Sequence, residues 1–226
     1  THTFPVPRSP AFSIVLQLLL VASAAAGPPS DTLLPKATKG YLSVARANDF
    51  DDRWNKTQLG QMFNDDVMKA FVDDFKKQIR EDFGAIERKL GLTYDDLKGI
   101  SDGEMSLSLI ERKGKEASLA VTIDVTGREK QADALLAAIE NRFAARKGTK
   151  STAKAGDATL QVFDIPAQGD AKKQQTVYFI KDKLLVGIDD RTAAQAIVKP
   201  FARDAPHNIK SLKAYQGARA ASQRAA

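Results

Sequence analysis

The stretch T-V-Y-F-I-K-D-K-L-L-V-G-I (176–188) reads as two strands joined by a tight turn. T-V-Y-F-I (176–180) and L-L-V-G-I (184–188) are short apolar runs, and Lys181-Asp182-Lys183 is the polar break between them. So short a link can only join antiparallel neighbours, because a parallel crossover needs a dozen or more residues. The sheet is therefore expected to be antiparallel.

Working outward, T-L-Q-V-F-D-I (159–165) is a third strand. The polar stretch before it, R-K-G-T-K-S-T-A-K-A-G-D (146–157), reads as a mobile connection. Upstream, E-M-S-L-S-L-I-E (104–111) and A-S-L-A-V-T-I (117–123) form a hairpin around Gly114. Strand alternation puts Met105, Leu107 and Leu109 on a core face, and Ser106 and Ser108 on a wet one. G-Y-L-S-V-A-R (40–46) is a further short strand.

Helices lie between these groups. Ala132, Leu135, Leu136, Ile139 and Phe143 give residues 127–146 an apolar face, and Ala194, Ile197, Val198 and Phe201 do the same for 190–201. The strongest periodicity is a stripe of Phe63, Val67, Phe71, Phe75, Ile79, Phe83, Ile86 and Leu90, stepping by four or three through a charged surround. Gly91 ends it. The order β, long α, ββ, α, βββ, α argues for an α+β fold, an antiparallel sheet with amphipathic helices packed on one face. The domain is expected over 40–202, behind a lead-in linker at 27–39. A basic tail at 203–226 reads as the truncated start of a further segment, the chain being a fragment.

W-N-K-T-Q-L-G-Q-M-F-N-D-D (54–66) concentrates the only tryptophan, a glycosylation-type sequon at Asn55-Lys56-Thr57 and an aspartate pair. Its residue types fit a short helix leading into the long one, with Asn64-Asp65-Asp66 as the cap and Trp54 and Leu59 turned to the core.

The 226 residues contain no cysteine, which excludes disulfides, thiol nucleophiles and cysteine-ligated metals. The two histidines, His2 and His207, exclude a histidine triad or a histidine-rich metal site. Phosphate-binding and nucleophile-elbow motifs are absent. Aspartate pairs at 51–52, 65–66, 73–74, 95–96 and 189–190 are poor acid–base dyads, since neighbours on a helix point about 100° apart. D-D-L-K-G-I-S-D-G-E (95–104) hints at a calcium loop but lacks its spacing. No residue is assigned to catalysis, a cofactor or a metal, and no cofactor is expected. The charges are too evenly interspersed for a specific nucleic-acid surface.

Residues 1–26 read as a signal peptide. One cation, Arg8, precedes an uncharged run from Ala11 to Ala26 that ends in small residues fitting A-x-A cleavage, before Gly27-Pro28-Pro29. The apolar core, Ala11 to Val21, is shorter than the ~20 residues of a spanning helix. Cleavage removes only Arg8 from the charge count, leaving 33 − 28 = +5. The protein is therefore expected to be exported, to the periplasm, the cell envelope or the outside, with membrane contact only through an uncleaved signal.

L-P-K-A-T-K-G-Y-L-S-V (34–44) followed by D-R-W-N-K-T-Q-L-G-Q-M-F-N-D-D-V-M-K-A-F (52–71) resembles the start of the exported bacterial proteins grouped as the DUF3352 family. Trp54, Thr57, Leu59 and Gly60 hold the motif's places, with Met62 where leucine is more usual. V-Y-F-I-K-D-K-L-L-V-G-I-D-D (177–190) and S-L-K-A-Y (211–215) are similar to the family's strand–strand–helix element. The resemblance implies export and an α+β fold in a usually longer chain; it transfers no catalytic residue.

Export and the poverty of catalytic side chains point to a non-enzymatic binding or scaffold module, whose partner is an apolar ligand or another envelope protein. The alternatives are an exported carboxylate-dependent hydrolase, and a binder of anionic polymers or membrane surfaces through the basic tail.

Overall fold

The computed structural model describes residues 26–47, 49–167, 169, 172–201 and 208–224. All but Ala26 of the signal-peptide stretch lies outside this set, as do both histidines.

Seven strands form one sheet: β1 (Thr38–Val44), β2 (Met105–Arg112), β3 (Lys115–Asp124), β4 (Thr149–Ala155), β5 (Ala158–Ile165), β6 (Gln174–Lys181) and β7 (Leu184–Ile188). Their spatial order is β1-β2-β3-β7-β6-β5-β4, and every pairing is antiparallel. The turn in the quoted stretch is the two-residue kind: Lys181 pairs with Leu184, while Asp182 (φ 48°) and Lys183 (φ 64°) take the left-handed conformation that such hairpins demand. Among the described residues, six α-helices complete the α+β fold: α1 (Phe50–Lys56), α2 (Gln58–Phe63), α3 (Lys69–Leu90), α4 (Glu129–Ala145), α5 (Arg191–Phe201) and α6 (Lys213–Arg224).

The helices cover both faces of the sheet rather than one. The reason is legible in β6 and β7, which are apolar at successive positions. Val177, Phe179, Leu184, Val186 and Ile188 join one core with Ala194, Ile197 and Val198 of α5. Tyr178 and Leu185, on the opposite face, join another with Ala132, Leu136, Ile139 and Phe143 of α4 and Leu90 of α3. A strand apolar on both faces needs cover on both.

The stretch at 146–157 contains an edge strand, β4, not a mobile connection. Its side chains are exposed or half-buried, so no apolar alternation marks it; seven backbone pairings with β5 hold it. Lys150 and Lys154 protect this edge from further pairing.

In β2 both faces are covered: Met105 and Leu107 pack against the α4-side core as expected, but the serine face is not wet. Ser106 and Ser108 are buried, as are Ser118 and Thr122 of β3, whereas Leu109 is 45% exposed. The hydroxyls are satisfied internally: Ser106 Oγ lies 2.7 Å from Thr122 Oγ1, and Ser118 Oγ donates to Asp189 Oδ1 at 2.5 Å. Small hydrogen-bonded side chains are what allow this face to be closed over.

The flank at 27–39 and the described part of the tail, 208–224, also pack into the domain. Leu33, Leu34 and Ile209 are buried in the α5-side core, with Leu212 and Tyr215 against it. Amphipathic spacing is hard to see in segments this short.

Candidate functional site

The C-terminal end of α3 is fixed to the sheet by its carbonyls. A helix leaves its last C=O groups without internal partners. Here Gln174, Thr176 and Tyr178, alternate residues on one face of β6, reach them. Gln174 Nε2 donates to the carbonyl of Arg88 at 2.8 Å, Thr176 Oγ1 to that of Lys89 at 2.5 Å, and Tyr178 Oη to that of Leu90 at 2.6 Å. Two cations complete the cap, each at 2.8 Å: Arg146, just past the end of α4, on the Arg88 carbonyl and Arg142 of α4 on that of Gly91. Positive charge at this end also suits the helix dipole. Gly91, at φ 71°, closes the helix, donating to the Glu87 carbonyl at 2.7 Å. Burial pushes the Tyr178 hydroxyl well above its ordinary pKa, which keeps it a donor.

The other end of α3 behaves differently. Val67 is 89% and Phe71 55% exposed, although both belong to the expected core-facing stripe, while Val72 is buried. The cause is the step of four. Each such step advances about 40° beyond a full turn, so a stripe aligned with the sheet at Phe83 has rotated about 120° away by Phe71. Val72, eleven residues before Phe83, returns to within about 20° of it. The segment before α3 packs mainly upon itself: Trp54 stacks edge-on to Phe63 at 5.5 Å, and Phe63 to Phe71 at 6.3 Å. Thr57 caps α2 by accepting from the Gly60 amide, and Asp65 accepts from the Val67 amide. The sequon threonine is thus the helix cap, and Asn55 Oδ1 accepts from Asn64. Gly60 is required here, because a Cβ would lie 1.8 Å from the Trp54 carbonyl oxygen. Trp54 is half-buried in this arm; the side chain of Leu59 lies outside the described residues.

Between the anchored end of α3 and the β1–β2–β3 face lies an apolar groove. Phe83 and Ile86 form its helical wall, Leu92 and Leu97 close one end, and Met105, Leu107 and Val121 make the floor. Leu42, Ser43 and Val44 of the outer strand form the rim, with Leu42 67% exposed. Its volume is about 160 Å³, and among the described residues no titratable side chain lines it. A cavity of ~150 Å³ with Leu, Ile and Phe walls accommodates a benzene ring. The groove fits one bulky apolar side chain or the end of an acyl chain.

The carboxylates of the 95–104 stretch and the 189–190 pair have structural partners. Asp96 takes a bidentate ion pair from Arg142 at 2.5 and 2.9 Å and the Thr93 amide at 2.7 Å. Burial raises its pKa, but the Arg142 guanidinium and the Thr93 hydrogen bonds outweigh burial and hold it below the usual carboxylate range. Its neighbour Asp95 pairs with Lys98 at 2.7 Å. Asp102 pairs with Arg128, and Glu104 accepts from Ser30 and Tyr41, so the calcium-like stretch is tied up in protein contacts. Asp189 accepts from Ser118 and Leu119, while Asp190 binds Arg112 and caps α5 through the Ala193 amide. Among the described residues, no group of three or more metal-ligating side chains assembles.

A polar cluster joins the flanks. Glu104 Oε1 accepts from Ser30 Oγ at 2.6 Å and from Tyr41 Oη at 2.9 Å; burial pushes the Tyr41 hydroxyl up to about 12. Buried Asp31 accepts from Tyr215 at 2.6 Å and Arg219 at 3.2 Å, with Lys210 at 3.9 Å. Tyr215 in turn stacks on Tyr41 at 5.8 Å. Burial, then the Asp31 carboxylate, raises the Tyr215 hydroxyl far above its ordinary value. This cluster fastens the lead-in to α6. Two of the tail's cations, Lys210 and Arg219, thereby face an internal acid.

No family model, no curated protein and no solved structure matches the chain. Among the described residues, no helix is long and apolar enough to cross a membrane.

Proposed function

We propose that this protein is an exported, non-enzymatic binding module that takes an apolar group into the groove between α3 and the β1–β2–β3 face. The observation that carries the reading is a groove of about 160 Å³ whose described walls are apolar, beside the exposed Leu42. Exposed apolar surface around a preformed cavity is the usual mark of a binding site. Export rests on the apolar, uncharged run that ends before Gly27. The motifs around Trp54 favour the same class of exported protein. A carboxylate hydrolase would need two acids facing one cleft, and the acids described above are engaged elsewhere.

Native mass spectrometry of the protein taken from its own envelope tests this. The expected spectrum carries a bound apolar molecule or protein partner that is lost in Leu42→Lys and Leu107→Asp variants of unchanged circular dichroism. A bare wild-type spectrum, or cargo retained by both variants, rejects the groove as the site.

A further inference from the structure

The rim of the groove is also an open edge of the sheet. β1 pairs with β2 on one side only. The Glu111 amide of β2 donates to the Ala37 carbonyl at 2.8 Å. Backbone groups alternate along a ladder, so Leu107 and Met105 also face β1, and their partners Leu42 and Val44 face β2. Tyr41 and Ser43 therefore turn their amides and carbonyls outward. Among the described residues, nothing bonds to these four groups. The two edges of the sheet differ in protection. β4 carries Lys150 and Lys154. G-Y-L-S-V (40–44) holds no charge and no proline. A bulge at Lys39 ends this regular stretch on one side. The flanking cations are paired, Lys39 with Glu111 at 3.2 Å and Arg46 with Asp49 at 3.1 Å. An uncharged open edge is a template for another strand.

Resting on the groove reading above, we propose that the partner is an extended segment of another polypeptide, added antiparallel to β1, with one large apolar side chain in the groove. Guest residues opposite Tyr41 and Ser43 take up their outward backbone groups. The guest residue between them lies beside Leu42. Cross-strand neighbours share a face, so its side chain points to the side on which Leu42 rims the groove. Phe83 and Ile86 form the wall it meets, over a floor of Met105 and Leu107. An acyl chain would leave the edge unpaired, and the described lining offers no charged group to a lipid headgroup. A second folded copy does not suit so small a contact. At ~3.4 Å per residue the open stretch is ~17 Å long, and at ~10 Å thickness it falls far below the roughly 800 Å² per partner of a lasting dimer. A flexible segment needs only the edge and one anchoring side chain.

The test is fluorescence anisotropy of the whole chain with labelled, lysine-ended, threonine-rich heptapeptides bearing Phe, Leu, Ala or Asp at the centre. The Phe-centred peptide is expected to bind, and the Ala-centred one at least ~10-fold more weakly. Methylating the two amides beside the centre, which meet Tyr41 and Ser43, should abolish binding. Methylating the central amide, which points away from β1, should not. Binding should slow hydrogen exchange at the Tyr41 and Ser43 amides. Leu42→Lys, at a site 67% exposed, should keep the fold and weaken the Phe-centred peptide at least ~10-fold. Failure of every peptide to bind, equal binding of the Phe- and Ala-centred peptides, or indifference to the position of the methyl groups overturns the proposal. If no peptide binds while the native spectrum carries a lipid or other small apolar molecule that Leu107→Asp removes, strand addition is rejected and the groove reading stands.

Discussion

The two ends of α3 belong to one helix and obey different rules. From Phe83 onward the helix is held by packing and by five side chains that reach its terminal carbonyls. Before that, Phe71 of the helix and Val67 in the turn leading into it are largely exposed, and the short helices α1 and α2 join it through a chain of edge-on rings. The lesson is that amphipathic spacing says a helix has an apolar side, while the exact step says over what length that side can face one wall. A stripe in steps of four serves one wall for about two turns, then drifts off it.

The sharpest contrast should come from truncating each end. Leu90, fully buried, should cost about 2–5 kcal/mol as Leu90→Ala in urea unfolding. A loss below about 1 kcal/mol would break the idea that this end is anchored. Tyr178→Phe keeps the ring and removes only the donor to the Leu90 carbonyl, so about 1–3 kcal/mol is expected. Asp96→Asn loosens Arg142, which also caps Gly91, at a cost of about 1–2 kcal/mol near neutral pH. This effect carries a pH signature. The folded carboxyl sits below its unfolded value of ~3.9, so its contribution is complete above that pH. It is lost as pH falls through the lowered folded value, and the wild-type and Asp96→Asn stabilities should then converge. Phe71→Ala, at the more exposed end, loses the Phe63 ring contact and should cost about 0.5–1.5 kcal/mol, less than Leu90→Ala. Amides of residues 69–74 should exchange with solvent faster than those of 84–90, and equal protection would erase the distinction.

Much of the fold can be read from the chain alone because its central strands are strongly apolar. The quoted β6–β7 hairpin, β5, α4 with its five core residues and the Gly91 stop all appear where periodicity and turn chemistry place them. Three features escape such reading. β4 is polar, so only its hydrogen bonds to β5 reveal it. Ser106, Ser108, Ser118 and Thr122 look like a wet face, because a sequence does not show which hydroxyls will find each other. Leu33, Leu34 and Tyr215 sit in flanks too short to show a period, yet close the α5 side of the sheet. The groove was only partly legible. Leu42, Phe83, Ile86 and Leu107 can be recognised as apolar strand and helix residues, but the space left between them depends on where α3 is pinned. That depends on Gln174, Thr176 and Tyr178, whose role as a helix cap has no local signature.

The strand order has a consequence for how the molecule is made. β1–β2–β3 and β4–β5–β6–β7 are two separate ribbons of neighbouring strands, and they meet only where β3 pairs with β7, the last strand of the sheet in the sequence. As the chain lengthens from its N-terminus, β3 keeps an open edge until Leu184–Ile188 is available. The loop that must close spans the whole of α4 and three strands, a late and long-range contact of the kind that slows folding. Completion of the sheet therefore waits on a single closing event, the arrival of β7. Before it, a half-built sheet with unpaired edges is the species a cell must shelter.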